Sequence, residues 1–114
     1  MRLPVWQARA TSTLQEIQLP IRAVLIDAAD DVASILGDAR EGDSLVIECY
    51  GGTPPRASIT AAEAIPFGHK VAMRDMPSGT VVRKYSHPIG QLIVDTRLGQ
   101  HVHTQNLRGI VAAK

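Results

Sequence analysis

The chain has 114 residues and a net charge of +1, from 12 Lys plus Arg against 11 Asp plus Glu. That length sets a single domain with a modest core, and the charge balance excludes the broad basic footprint of a nucleic-acid binder. Only four residues are aromatic, one Phe, one Trp and two Tyr, which excludes a base-stacking platform for single strands and leaves the core to Val, Ile, Leu and Ala.

Met1 to Leu19 shows no sustained period, and Arg2, Gln7, Arg9 and Gln15 interrupt it, which argues against a signal peptide. Residues 1–20 read as an N-terminal extension. Arg22 to Asp27, RAVLID, is a β-branched run and a predicted strand. Asp30 and Asp31 then offer an N-cap. Val32, Ile35 and Leu36 follow at i, i+3 and i+4, the stripe of one short helix that Gly37 would end. SLVIECY, residues 44–50, is the next strand. Cys49 is the only cysteine, so no internal disulfide exists; it reads as a small buried hydrophobe in a chain suited to a reducing, cytoplasmic setting.

Gly51-Gly52-Thr53-Pro54-Pro55-Arg56 is the clearest loop. Further strands are expected at Ser58–Thr60, Lys70–Arg74, Thr80–Tyr85, Gln91–Val94 and Gln100–Thr104, with Pro77-Ser78-Gly79 and His87-Pro88 as breaks. The domain itself spans 21–108, and 109–114 is a C-terminal tail. Nothing approaches the roughly 18 apolar residues of a membrane span, so no membrane partner is expected.

One turn recurs. Asp38-x-x-x-Gly42-x-x-Leu45, Asp75-x-x-x-Gly79-x-x-Val82 and Asp95-x-x-x-Gly99-x-x-Val102 share a pattern. Asp can accept backbone N–H groups and Gly tolerates positive φ, after which an apolar residue resumes a strand. Repetition assigns these aspartates to folding rather than catalysis, and Gly79 and Gly99 to positive φ. Short strands, frequent turns and little helix predict a mostly β domain with long connections.

The chemistry gathers among the turns. Gly68-His69-Lys70 follows a proline turn, and His101-Val102-His103 follows Gly99. Residues two apart on a strand share a face, so His101 and His103 project together with Val102 buried behind them. With His69 they can bind a metal or an anion, or carry protons near neutral pH. The plainer alternative is an exposed polar strand face. His87, held extended by Pro88, reads as a surface loop histidine. Lys70, Arg74, Arg83 and Lys84 can attract a carboxylate-rich substrate or simply be solvated, and Arg74 can pair with Asp75 or a neighbouring strand. No Walker or dinucleotide loop, nucleophile elbow, CxxC or HExxH is present, so no self-contained catalytic set appears and a closed structural zinc site is excluded.

IPFGHKVAMRD, then KYSHPIG, then D-x-x-x-G-x-HVH-x-x-N resembles the small N-terminal SAF domain of the altronate and galactarate dehydratases, over about Arg22 to Leu107. Two positions depart from the family pattern. Ser86-His87 stands where the family has Gly and an acidic residue, and Gln105 stands where it has a third histidine. The resemblance implies a β-clip fold. It also implies the small subunit of a two-chain hydro-lyase acting on a sugar acid or related hydroxy acid, completing the active site of a separate large catalytic subunit. In that reading His69, His101 and His103 are catalytic, and Lys70, Arg74, Lys84 and Asn106 bind substrate. A divalent, iron-type metal is implied, held by the large subunit. The alternative is a non-catalytic SAF-type binding or assembly module for a sugar acid or a protein. A homo-oligomer is open for the chain alone.

Overall fold

The computed structural model describes residues 20–49 and 57–109. All but the last residue of the expected N-terminal extension, the Gly51–Arg56 loop and all but the first residue of the expected tail lie outside the described residues. All regular structure among those described is β. The strands are β1 (Ile21–Leu25), β2 (Val32–Ile35), β3 (Ser44–Cys49), β4 (Ala57–Thr60), β5 (Lys70–Ala72), β6 (Val81–Lys84), β7 (His87–Leu92), β8 (His101–Val102) and β9 (Leu107–Gly109). A six-stranded sheet runs β4-β3-β1-β2-β5-β8, and a three-stranded sheet runs β6-β7-β9. Among the described strands only β1 and β3 pair in parallel. No helix among the described residues is long and apolar enough to cross a membrane.

The mostly β class is as the sequence indicates, but the short helix is not: Val32–Ile35 is strand β2, between β1 and β5. The reason is burial on both faces. Ala33 and Ile35 enter one core with Ala23, Leu45, Ile47, Ile65 and Val71, while Val32 enters a second with Ala72, Met76, Val82, Leu92 and Val102. A strand covered on both sides loses the apolar–polar alternation, and four residues with a single polar one, Ser34, match a helical stripe equally well. Asp30 and Asp31 cap no helix. Asp30 accepts the Tyr85 and Ser86 amides, and Asp31 accepts the Arg83 amide at 2.8 Å. They anchor the β6–β7 hairpin, whose turn residues Tyr85 and Ser86 both take positive φ, 58° and 63°. His87-Pro88, expected as a break, instead opens β7, and that strand ends at Leu92 rather than reaching Val94. Pro88 lies beside a shift of register between Val82 and Arg83, an irregularity that accommodates a residue with no N–H to donate.

The recurrent turn is present four times, not three, and it works in pairs. Residues 38–43, 64–69, 75–80 and 95–100 share one backbone course with Gly42, Gly68, Gly79 and Gly99 at positive φ. Ala39 bridges Ile65, and Met76 bridges Thr96. The aspartates do not act on their own turns as expected. Asp75 Oδ1 accepts the Leu98 amide and Asp95 Oδ1 accepts the Ser78 amide, each at 2.8 Å, so the two turns clasp reciprocally. Asp38 Oδ1 accepts the Phe67 amide in the same way. Ala64 hid the fourth copy, because it stands where the others have Asp and returns no such bond. By the common offset its partner amide is that of Glu41. Ala64→Asp, at an exposed position, should therefore stabilise the domain by about 0.5–1.5 kcal/mol, read from urea midpoints. An unchanged or lowered midpoint would show that the second pair of turns does not need the reciprocal bond.

Candidate functional site

Two of these turns deliver histidines. The positive-φ turn at Gly68 leads straight into His69 and β5, and the turn at Gly99 leads into His101 and β8. β5 and β8 pair antiparallel with Val71 opposite His101. Opposed residues share a face, and so do residues two apart. His69, His101 and His103 therefore rise on the face of Val71, while Val102 is fully buried behind them.

The backbone around the histidines is fastened on several sides. The His101 amide donates to Glu63 Oε2 at 2.9 Å. Asn106, itself buried, donates from Nδ2 to the His101 carbonyl at 2.8 Å and accepts the His103 amide on Oδ1 at 2.9 Å. The His103 carbonyl accepts the Asn106 and Leu107 amides. Asn106 thus ties the loop that carries His103 back onto the strand end that carries His101.

The three imidazoles meet. His69 Nδ1 and His101 Nε2 lie 2.8 Å apart. The rings are nearly parallel, with centroids 4.1 Å apart for His69 and His103, 5.0 Å for His69 and His101, and 5.5 Å for His101 and His103. Gln105 Nε2 sits 3.2 Å from His101 Nδ1. An amide nitrogen only donates. With the Gln105 amide so oriented, His101 Nδ1 accepts, His101 Nε2–H donates to His69 Nδ1, and the His69 proton stands on Nε2. The result is a directed chain from Gln105 through His101 to His69.

Partial burial and the neighbouring imidazoles of His69 and His103 lower the His101 pKa from its usual value, with Glu63 opposing them. A lowered native pKa means that the unfolded chain binds the extra proton more readily. The contribution of His101 is thus fully present above its unfolded pKa, about 6.5, and is lost as pH falls below that value. In chelator, the wild-type melting temperature should fall more between pH 7 and pH 5 than that of His101→Gln. Parallel pH curves would remove His101 as the cause.

The other candidates are placed apart. Strand alternation turns Lys70 to the face of Ala72 and Val102, away from His69. Arg74 pairs not with Asp75 but with buried Asp31, donating to Oδ1 from Nε at 3.0 Å and from Nη2 at 2.7 Å. Lys84 is buried at 6% exposure with Nζ 3.8 Å from the Tyr85 ring centroid. Among the described residues none of these cations bonds to the three histidines. Glu63 and Gln105 are the site residues that sequence reasoning passed over. Glu63 has no local signal, and Gln105 was visible only as the departure from a third histidine.

The family model of the altronate/galactarate dehydratase SAF domain matches residues 21–109. The chain belongs to this SAF-domain family. It is 31% identical over 90 residues to the (2R)-sulfolactate sulfo-lyase subunit alpha of Chromohalobacter salexigens, covering 79% of this chain and 96% of that subunit. It is 34% identical over 85 residues to the altronate dehydratase of Escherichia coli strain K12, covering 75% of this chain but only 16% of that enzyme. The corresponding subunit alpha of Paracoccus pantotrophus is 44% identical over 50 residues, 44% of this chain and 75% of the subunit. The all-β structure is that of a SAF β-clip domain. Within it, Ser86 takes a φ of 63° and donates its hydroxyl to Asp27 Oδ2 at 2.6 Å. That bond, with the Ala29 amide, holds the Asp27 carboxyl below its usual pKa.

Proposed function

We propose that this chain is the small subunit of a two-chain lyase acting on a hydroxy acid, a sulfolactate-like or sugar acid, and that its histidine corner completes the active site of a large catalytic subunit. The observation that carries the reading is the meeting of His69, His101 and His103 on one corner. The relatives are named as lyases and dehydratases, and a subunit alpha implies a companion chain.

Elimination from a hydroxy acid requires a base to take a proton beside the carboxylate and an acid to protonate the leaving oxygen. The chain Gln105–His101–His69 supports one assignment of roles to the ring nitrogens. His69 Nε2 holds a proton at the outer end; once His101 Nδ1 has taken up one further proton from solvent, His69 Nε2 can donate to a leaving group as the His101 Nε2 proton passes to His69 Nδ1, which leaves both imidazoles neutral. His103, exposed and stacked on His69, is placed to meet a substrate oxygen. Asn106 acts as a positioning residue rather than a binder. A bound divalent ion would supply Lewis-acid polarisation of substrate oxygens, with these three histidines as the donors on this chain.

Among the described residues no base stands with a complete acid partner, so the purified chain should turn over no hydroxy acid. Co-expression with a dehydratase-like large subunit encoded beside it should give a stable complex and lyase activity. Turnover by the isolated chain would sink the two-chain reading. Failure of the pair to associate would favour the alternative, a non-catalytic SAF-type binding module, which the loss of the third histidine at Gln105 supports.

A further inference from the structure

We propose that Lys84 and His87, at the turn end of the β6–β7 hairpin, bind a carboxylate ligand at a site apart from the histidine corner. This goes beyond the lyase reading and does not rest on it.

Lys84 is a charge without a counter-charge. It is buried, because the alternation of β6 turns it, with Val82, toward the layer of Val32, Ala72 and Val102. The ion pairs among the described residues are Arg22–Glu48 and Arg74–Asp31, and Lys84 enters neither. Asp30, the buried carboxylate at this turn, is already occupied: its oxygens accept the Asp27, Tyr85 and Ser86 amides. The register sets His87 directly opposite Lys84, and opposed residues share a face. The cross-strand neighbour is therefore an imidazole, not a carboxylate. An ammonium withdrawn this far from water is costly unless an anion meets it.

What meets it among the described residues is the Tyr85 ring, whose centroid lies 3.8 Å from Nζ. The negative face of the ring stands where an oxyanion would. Tyr85 takes a φ of 58°, a left-handed value that a bulky residue seldom adopts, and the Asp30 bond holds only its backbone. Its side chain is exposed, so the ring can turn aside and uncover Nζ without disturbing the core. A carboxylate arriving there accepts from Nζ on one oxygen and from a ring N–H of His87 on the other. Its single charge matches that of one lysine, whereas a dianion would leave surplus charge beside an apolar layer. The six-stranded sheet separates this place from the corner: the three histidines rise on its Val71 face, and Lys84 lies toward its Val102 face.

Acetate is the probe, titrated into the purified chain against chloride at constant ionic strength and followed by NMR at Lys84 Cε and the Tyr85 ring. Both signals should move saturably at about millimolar acetate, as suits so small a ligand. Lys84→Met keeps the stem and should weaken binding, read at the Tyr85 ring, by more than about tenfold. His87→Glu should weaken it equally by another route: it sets a carboxylate opposite Lys84, fills the site from within and raises the melting temperature. Circular dichroism checks folding. If Lys84→Met unfolds, His87→Glu, at an exposed position, carries the test. A blocked peptide with one glutamate separates the sources. Binding equal to that of acetate means that a carboxylate borne on a protein fits, and binding of acetate alone means a free acid. No saturable movement in the folded wild type, or acetate binding undiminished in either folded variant, overturns the proposal. That failure leaves the two-chain lyase untouched, because none of these residues belongs to the corner.

Discussion

His69→Ala in the reconstituted two-chain complex is expected to cost about 10²–10⁴-fold in kcat, the usual contribution of a general acid or base, while association with the large subunit survives. His69 ends the hydrogen-bonded chain that begins at Gln105, so its removal takes away the only proton this corner presents at His69 Nε2 and breaks the 2.8 Å link to His101. The loss should fall on kcat more than on KM, because the proton is moved only as the leaving oxygen departs. Folding should be nearly indifferent. The backbone bonds of His69, its amide to Pro66 and its carbonyl from Ile35, do not use the side chain. His69→Gln separates the roles, since it keeps a polar donor that cannot titrate. A kcat near wild type in His69→Ala would make His69 a turn residue and remove the catalytic assignment of the corner.

The pairing of the histidines was legible in the sequence because it rests on short-range rules. Two residues apart on a strand means one face, and a glycine at positive φ means a chain reversal just before it. What brings His69 to His101 is the pairing of β5 with β8, between segments about thirty residues apart, and no local pattern in either encodes that register. The resemblance supplied it indirectly. Val32 to Ile35 failed for a related reason: both of its faces are covered by elements far away in sequence, so its apolar run carried no alternation. Arg74 was open between Asp75 and a neighbouring strand, and the segment that leads into β2 takes it. A cation beside Asp75 looks available for a carboxylate ligand until Asp31, forty-three positions earlier, occupies its guanidinium. The aspartate turns were correctly assigned to folding, but their bonds cross between turns. Seen this way, the copy with alanine at position 64 belongs to the set even though it lacks the residue that marked the others.

Gly99 and Gly79 should separate sharply under the same substitution. Both occupy the fourth step of the recurrent turn at positive φ, 88° and 94°, so alanine at either forces an L-residue into the left-handed region at about 1–2 kcal/mol. Space then divides them. A Cβ at Gly79 meets nothing within 4 Å, whereas at Gly99 it runs into the carbonyl oxygen of Thr60 and lies 3.3 Å from the Ala62 amide. That carbonyl ends β4, and the Gly99 carbonyl accepts the Ala62 amide at 2.8 Å, so relieving the clash means parting two backbones that are bonded together. Gly99→Ala should accordingly cost about 3 kcal/mol or more, against about 1–2 for Gly79→Ala, measured as urea unfolding free energies. The damage should also reach the site. Gly99 stands two residues before His101, and Glu63, which accepts the His101 amide, follows Ala62 directly. A shifted turn displaces the imidazole that links Gln105 to His69. In any Gly99→Ala protein that still folds, ¹⁵N spectra should show the tautomers of His69 and His101 redistributed, while Gly79→Ala leaves them as in wild type. Equal losses of stability at the two glycines would mean that β4 yields freely, and the close approach at Thr60 would then hold nothing in place.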